Sequence, residues 1–169
     1  MEVTLKLLIM KKTQKIFNIT AIILIIDQII KIIIRSNLNE YQEIKIIKNF
    51  FSITLLKNTG AAFSILKNST LLLIIISVLF ILLISKYIKK EEKKLTKLDV
   101  YSYGIILGGI FGNLLDRIIH KGVIDYLSFR FLSYYFPVFN FADISITVGI
   151  ALLIISTIIN EKKQDKEGN

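Results

Sequence analysis

Asp143 stands near the head of an apolar run of membrane-spanning length, in the stretch Phe139, Asn140, Phe141, Ala142, Asp143, and a second carboxylate, Asp125, precedes it in Val123, Ile124, Asp125, Tyr126. An ionised carboxylate in hydrocarbon costs at least roughly 2.5 to 3.5 kcal/mol even on the lenient insertion scale, so a chain keeps one there only with a partner or a task. Brought together, two carboxylates repel as anions, and one of them binds its proton more tightly. The protonated member can then act as an acid while the ionised one draws a proton from water, and the pair titrates as a unit. Other hydrolytic chemistries lack their residues. The chain has no cysteine, a single histidine (His120), no His-Glu-x-x-His and no Gly-x-Ser-x-Gly.

The elements that must position these carboxylates are membrane helices. The 169 residues are 53% hydrophobic with a mean hydropathy of +0.61, too apolar for a soluble domain of this length. Four stretches, about 16–34, 69–88, 99–119 and 139–160, are each long enough to cross roughly 30 Å of hydrocarbon. Together they predict a single polytopic domain over residues 1–169. The first follows a basic lead as a signal peptide would, but it is too long, carries Asp27 and Lys31, and lacks a small-residue cleavage site, so it reads as a retained helix.

The net charge of +9 is explained by topology rather than nucleic acid, because the basic residues gather at span ends and no nucleic-acid motif is present. Thirteen of the 22 Lys and Arg residues fall on the side of the two termini and the 89–97 loop, eight on the other, and Lys31 lies within a span. The positive-inside rule therefore predicts cytoplasmic termini and two outward connections. The first, about 36–67, contains two strand-like runs with turns at Lys48-Asn49 and at Lys57 to Gly60, which predicts a small surface sheet whose Phe50 and Phe51 rest on lipid or on helix ends. The second, about 120–138, is aromatic and ends at the only proline, Pro137, which reads as an interfacial loop. The basic lead Met1 to Lys15 and the polar tail Glu161 to Asn169, which is expected to fray, offer no site.

Run in these directions, the helices bring their polar residues to one depth: Asp27 and Lys31, Asn113, Asp116 and Arg117, Asn140 and Asp143. Asp143 lies about 6 Å below its helix start, within reach of water. Asp27 with Lys31 is either a neutralising intrahelical pair with a snorkelling lysine or part of a site. Asp116 and Arg117 read as an interfacial anchor or as site residues. Asn113 and Asn140 are either packing amides or groups that orient a substrate backbone. His120 reads as interfacial, and Gly104, Gly108 and Gly112, with Gly109 alongside, carry the spacing of close helix packing.

Together these residues resemble the lipoprotein signal peptidases (signal peptidase II), the membrane aspartic endopeptidases of bacteria. The resemblance rests on Asp27-Gln28-Ile29-Ile30-Lys31, Asn58-Thr59-Gly60-Ala61-Ala62-Phe63-Ser64, the run from Gly108 to Arg117, Val123 to Tyr126, and Phe139 to Asp143, in that order along nearly the whole chain. It implies a four-helix transmembrane bundle with a small extracytoplasmic β-cradle, and Asp125 and Asp143 as the catalytic dyad. It also implies Asn58, Gly60, Asn113, Arg117 and Asn140 as substrate-binding groups, with Asp27, Lys31, Asp116 and Ala142 supporting the site. Tyr126 stands where the family often has Phe, and Phe141 where an aliphatic residue is common.

The implied substrate is a prolipoprotein cleaved before a diacylglyceryl-modified cysteine, by water attack without a covalent intermediate and without metal or organic cofactor. The implied setting is a monomer among the lipids of the bacterial cytoplasmic (inner) membrane, with the site at the outer face. The competing classes are a small ion- or proton-coupled transporter, which would spread its carboxylates through the membrane depth, and a non-catalytic assembly factor. No internal repeat supports a transporter of duplicated halves.

Overall fold

The computed structural model describes residues 2–60 and 69–167. Its elements are α1 (Glu2–Asn37), β1 (Glu43–Ile47), β2 (Phe51–Asn58), α2 (Thr70–Glu91), α3 (Lys97–His120), β3 (Val123–Phe131), β4 (Tyr134–Tyr135) and α4 (Phe141–Glu167). Ala61, Ala62, Phe63 and Ser64 of the second motif lie outside the described residues, as do Lys67 and the end of the tail. All four helices contain a stretch long and apolar enough to cross a membrane, and α1 and α4 both run past their apolar stretches, Lys12–Asn37 and Phe141–Lys162. A helix satisfies its own backbone polar groups, which is why these runs take that form in lipid.

α3 is the centre of the bundle, buried over 61% of its apolar window where the other three are buried over 11–22%. Glycine spacing explains why. A Cβ at Gly104 would lie 2.7 Å from the Cβ of Ile19, and one at Gly108 2.5 Å from that of Ile23, so α1 rests directly on the α3 backbone. At Gly112 a side chain would strike the Asp27 carboxylate. Gly109 faces the other way, with the Ala142 carbonyl and Ile146 of α4 against it, and Gly149 of α4 receives Ile106 in return. In α2 only Leu73 and Ile88 are buried, and the helix packs on α3.

The bundle end remote from the sheet is fixed by caps. Thr96 and Asp99 form a reciprocal capping box at the start of α3. The Lys12 ammonium donates to the carbonyls of Glu92, Lys93 and Leu95 at 3.4, 3.3 and 2.8 Å, tying α1 to the turn between α2 and α3.

At the other end lies an antiparallel sheet of order β1-β2-β3-β4. Half of it comes from the segment read as a loop over 120–138. Val123, Asp125, Leu127 and Phe129 alternate with Ile124, Tyr126, Ser128 and Arg130, but Ile124 and Tyr126 are themselves buried. Apolar residues on both faces hide the period-2 signal at the start of the strand. Lys121 ends α3 in the left-handed conformation (φ 55°), its N–H bonded to the Arg117 carbonyl, and turns the chain directly into β3. A bulge between Ile53 and Leu56 shifts the register so that Leu56 pairs with Asp125. Phe51 stacks on Phe129 of the neighbouring strand, with ring centroids 4.7 Å apart, and is half-buried, whereas Phe50 is 40% exposed.

Candidate active site

The start of α4 brings the two carboxylates together. Asn140 is its N-cap: its Oδ1 accepts the Asp143 N–H at 3.0 Å while Asp143 Oδ2 accepts the Asn140 N–H at 3.2 Å, a capping box in which Asp143 occupies the third helical position. The Asn140 amide then donates to Asp125 Oδ1 at 2.6 Å and to Asn113 Oδ1 at 3.2 Å. Asn113 donates in turn to Asp143 Oδ1 at 2.8 Å. On its far side Asp125 Oδ2 accepts from Asn58 Nδ2 at 3.0 Å, and Asn58 Oδ1 holds the Gly60 N–H at 2.9 Å. Three asparagines from β2, α3 and the α4 cap thus enclose two aspartates. Amides suit the task because each offers both donors and an acceptor without adding charge.

The remaining N–H groups of the first α4 turn are also taken. Phe141 donates to the Tyr126 hydroxyl at 3.1 Å and Ala142 to Asp27 Oδ1 at 3.0 Å. A helix end buried without such partners would leave unsatisfied donors. Asp27, 0% exposed, forms an ion pair with Lys31 at 2.8 Å, and Lys31 pairs equally with Asp116 at 2.8 Å. The ammonium completes its three donors with Asn113 Oδ1 at 3.2 Å. Asp116 Oδ2 also accepts the N–H of Ile124, the residue before Asp125, at 3.0 Å. Gln28, given no role from sequence, closes the network by donating to Asp27, Asp116 and the Gly112 carbonyl at 3.2, 3.1 and 3.3 Å.

Two readings from sequence are thereby decided by geometry. Lys31 does not snorkel: it is 2% exposed and bridges α1 to α3. Asp116 is buried rather than an interfacial anchor. Arg117 is half-buried in the wall and donates a long hydrogen bond to the Asn113 carbonyl, 3.4 Å, without forming a fork to a carboxylate. His120 ends α3 with Arg35 Nη1 2.7 Å from its Nε2, and is not among the residues that line the cavity with Asp125 and Asp143. The buried acidic and basic side chains among the described residues are Asp27, Lys31, Asp116 and Asp125, all in this one network.

Asp125, Asp143, Asn58, Gly60, Asn113 and Arg117 all line a cavity of about 700 Å³. Asn140 lies fully buried behind it. Tyr41, Phe136 and Ile146, which nothing in the sequence singles out, form the more apolar part of the wall with Phe139. Their signal is weak because apolar and aromatic residues are everywhere in such a chain. The volume falls in the range of sites that accept a small molecule or a short peptide segment.

Burial pushes the Asp125 carboxyl up to about 7, and the neighbouring Asp143 carboxylate adds to the rise, against the hydrogen bonds from Asn58 and Asn140. Asp125 therefore holds a proton where an exposed aspartate would not. No group of three or more metal-ligating side chains occurs among the described residues. What the arrangement can do is acid/base chemistry on a water molecule between the two carboxyl groups.

Residues 19–159 match the family model described as signal peptidase (SPase) II. A lipoprotein signal peptidase of Symbiobacterium thermophilum is 37% identical over 139 residues, which cover 82% of this chain and 91% of the relative. Two solved structures described as a bacterial membrane enzyme superpose on the chain. The one at 2.3 Å resolution has a TM-score of 0.78 and 28% identity over 88% of this chain and 90% of its own. The one at 1.9 Å has a TM-score of 0.73 and 29% identity over 84% and 91%.

The proton on Asp125 has a consequence for stability. A carboxyl that ionises near 3.8 in the unfolded chain and at about 7 in the folded one makes the fold progressively less stable as pH rises through that window, with no further loss above it. Asp125→Asn removes this cost. The melting temperature of the Asn variant in detergent, relative to the unsubstituted protein, should rise between about pH 4.5 and pH 7.5, reflecting roughly 3 kcal/mol. A difference that stays constant across this range would show that Asp125 does not hold a shifted proton.

Proposed function

The chain belongs to the signal peptidase II family and is a multi-pass membrane protease, and from that premise we propose that it removes signal peptides from diacylglyceryl-modified prolipoproteins, with Asp125 and Asp143 as the catalytic dyad. The observation that carries this reading is the sharing of Asn140: its side-chain amide binds Asp125 while its backbone N–H binds Asp143. The two carboxyl groups are thereby held on one side of one cavity.

In this mechanism Asp143, at the positive end of the α4 dipole, takes a proton from water as its oxygen attacks the scissile carbonyl carbon. Asp125 gives its proton to the carbonyl oxygen, forming a gem-diol. When the C–N bond breaks, Asp143 passes its proton to the departing nitrogen, and Asp125 recovers one from the diol, so the dyad returns to its starting state. No acyl-enzyme forms. Arg117, free of carboxylate partners in the wall, and Asn113 and Asn58 hold the substrate backbone, and Asp27, Lys31, Asp116 and Ala142 support them from below.

The diacylglycerol fixes the depth of the scissile bond, since each buried CH₂ contributes about 0.8 kcal/mol. The apolar wall of Tyr41, Phe136 and Ile146 suits a lipidated side chain. The charge distribution supports cytoplasmic termini and a site at the outer face of the bacterial cytoplasmic membrane, where a monomer suffices because both aspartates come from one chain.

The test is cleavage of a synthetic lipidated prolipoprotein peptide by detergent-purified protein. Asp125→Asn and Asp143→Asn should each reduce kcat by about 10²–10⁴-fold or more while leaving a folded protein, and the peptide without diacylglycerol should be a far poorer substrate. Near-normal turnover by either variant would remove the dyad. Equal kcat/KM for both peptides would remove lipid-dependent positioning.

Orientation is read separately. This chain has no cysteine, so Tyr134→Cys should label with a membrane-impermeant maleimide in intact cells and Lys93→Cys should not. The reverse pattern would place the site on the opposite face.

A further inference from the structure

The far end of the sheet is apolar, exposed and strained. The turn joining β1 to β2 and the turn joining β3 to β4 lie side by side, because the Arg130 N–H bonds the Phe50 carbonyl at 2.8 Å and the rings of Phe50 and Phe131 meet edge to face at 5.4 Å. Their apolar side chains face outward: Leu132 92% exposed, Tyr134 57%, Ile46 53%, Phe131 52%, Ile47 51% and Phe50 40%. Leu132 has φ 56°, a left-handed conformation that favours glycine at a hairpin turn and that a branched aliphatic residue rarely adopts. The side chain gains almost nothing within the protein for this strain. The turn is nonetheless held firmly, since Arg130 Nε donates to the Leu132 carbonyl at 2.9 Å and its guanidinium lies 4.8 Å over the Tyr135 ring.

A strained backbone that presents a bulky apolar group to the outside points to a contact made outside the chain. Its surroundings say of what kind. Lys45, Lys48 and Arg130 flank the tip, against Glu43 alone among the acidic residues of β1. The sheet is also tethered close to a bilayer, with β1 beginning at Glu43 after α1 ends at Asn37, and β3 at Val123 after α3 ends at His120. We propose that the paired turns form a membrane-docking tip, in which Leu132, Phe131, Ile47 and their neighbours enter the acyl boundary of the adjacent leaflet while Lys45, Lys48 and Arg130 bind anionic headgroups. Apolar insertion and basic attraction together are what such interfacial contacts need, and neither alone holds firmly. The tip holds the far edge of the sheet down beside the substrate cavity, to which Tyr135 also belongs.

The chain contains no tryptophan, so Leu132→Trp introduces a single reporter at the most exposed position. In nanodiscs containing phosphatidylglycerol with brominated acyl chains, its emission should be blue-shifted and quenched at least twofold relative to unbrominated lipid. Quenching should be weaker in phosphatidylcholine discs, and Lys45→Glu with Lys48→Glu should reduce it towards that level in the anionic ones. Tyr134→Trp provides a second reporter on the same tip, and melting in detergent confirms that each variant is folded. Water-like emission without quenching from both positions would overturn the proposal. So would a blue shift without bromolipid quenching, the mark of a protein contact, or equal quenching in both lipids. The readout is independent of peptide cleavage, so its failure leaves the protease assignment standing.

Discussion

One buried ammonium group organises this molecule. Lys31 reaches Asp27 in its own helix and Asp116 and Asn113 in α3. Through Asp27 it is connected to the first turn of α4, through Asp116 to the N–H beside Asp125, and through Asn113 to Asp143. Taking three charged groups out of water is expensive, and a well-packed apolar substitute is often as stable. Removing a single partner, however, strands a charge at a cost of about 3–5 kcal/mol. Every donor and acceptor here is satisfied, with no orphaned buried side-chain polar atom among the described residues, and the gain is placement: three helices and one strand are fixed relative to one another at the depth where the aspartates meet.

The glycines of α3 are the precondition for that arrangement. Gly112 gives the Asp27 carboxylate the space a methyl group would take, and Gly109 lets the α4 backbone approach at Ala142. Close helix approach and the polar network are therefore one feature seen from two sides, since the ion pairs reach across helices only because the backbones nearly touch. The α4 cap serves similarly twice. Asn140 and Asp143 terminate a helix, and the same atoms orient Asp125. Residues that serve both the helix cap and the proposed chemistry leave little freedom at either, and the raised proton affinity of the buried Asp125 is a local cost of that arrangement.

Much of this was legible in the sequence because charge in an apolar span is so conspicuous. Asp27, Lys31, Asn113, Asp116, Asn140 and Asp143 stand out against Ile and Leu, and helical direction alone brings them to one depth. Asp125 was legible by its motif rather than by periodicity. What remained hidden were choices between equivalent local options. A lysine near a helix end can snorkel or turn inward, and only the position of Asp116 on α3 decides for Lys31. Gln28 next to Asp27 carries no periodic signal, yet it spans two helices. Arg117 beside acidic residues suggests a bidentate pair, but Lys31 has already claimed Asp116, and the guanidinium is left facing the cavity. β3 escaped because burial on both faces erases alternation.

The central claim is that Asp125 and Asp143 act as a pair sharing one proton, with that proton on Asp125 up to about pH 7. The pH dependence of kcat/KM on a lipidated peptide tests it most directly, because that ratio reports ionisations of the free enzyme. The account predicts a bell whose alkaline limb falls near pH 7 as the second carboxyl ionises. A rate constant that stays level or rises from about pH 6 to pH 9 would contradict it, because the chemistry would then proceed with both carboxyl groups ionised.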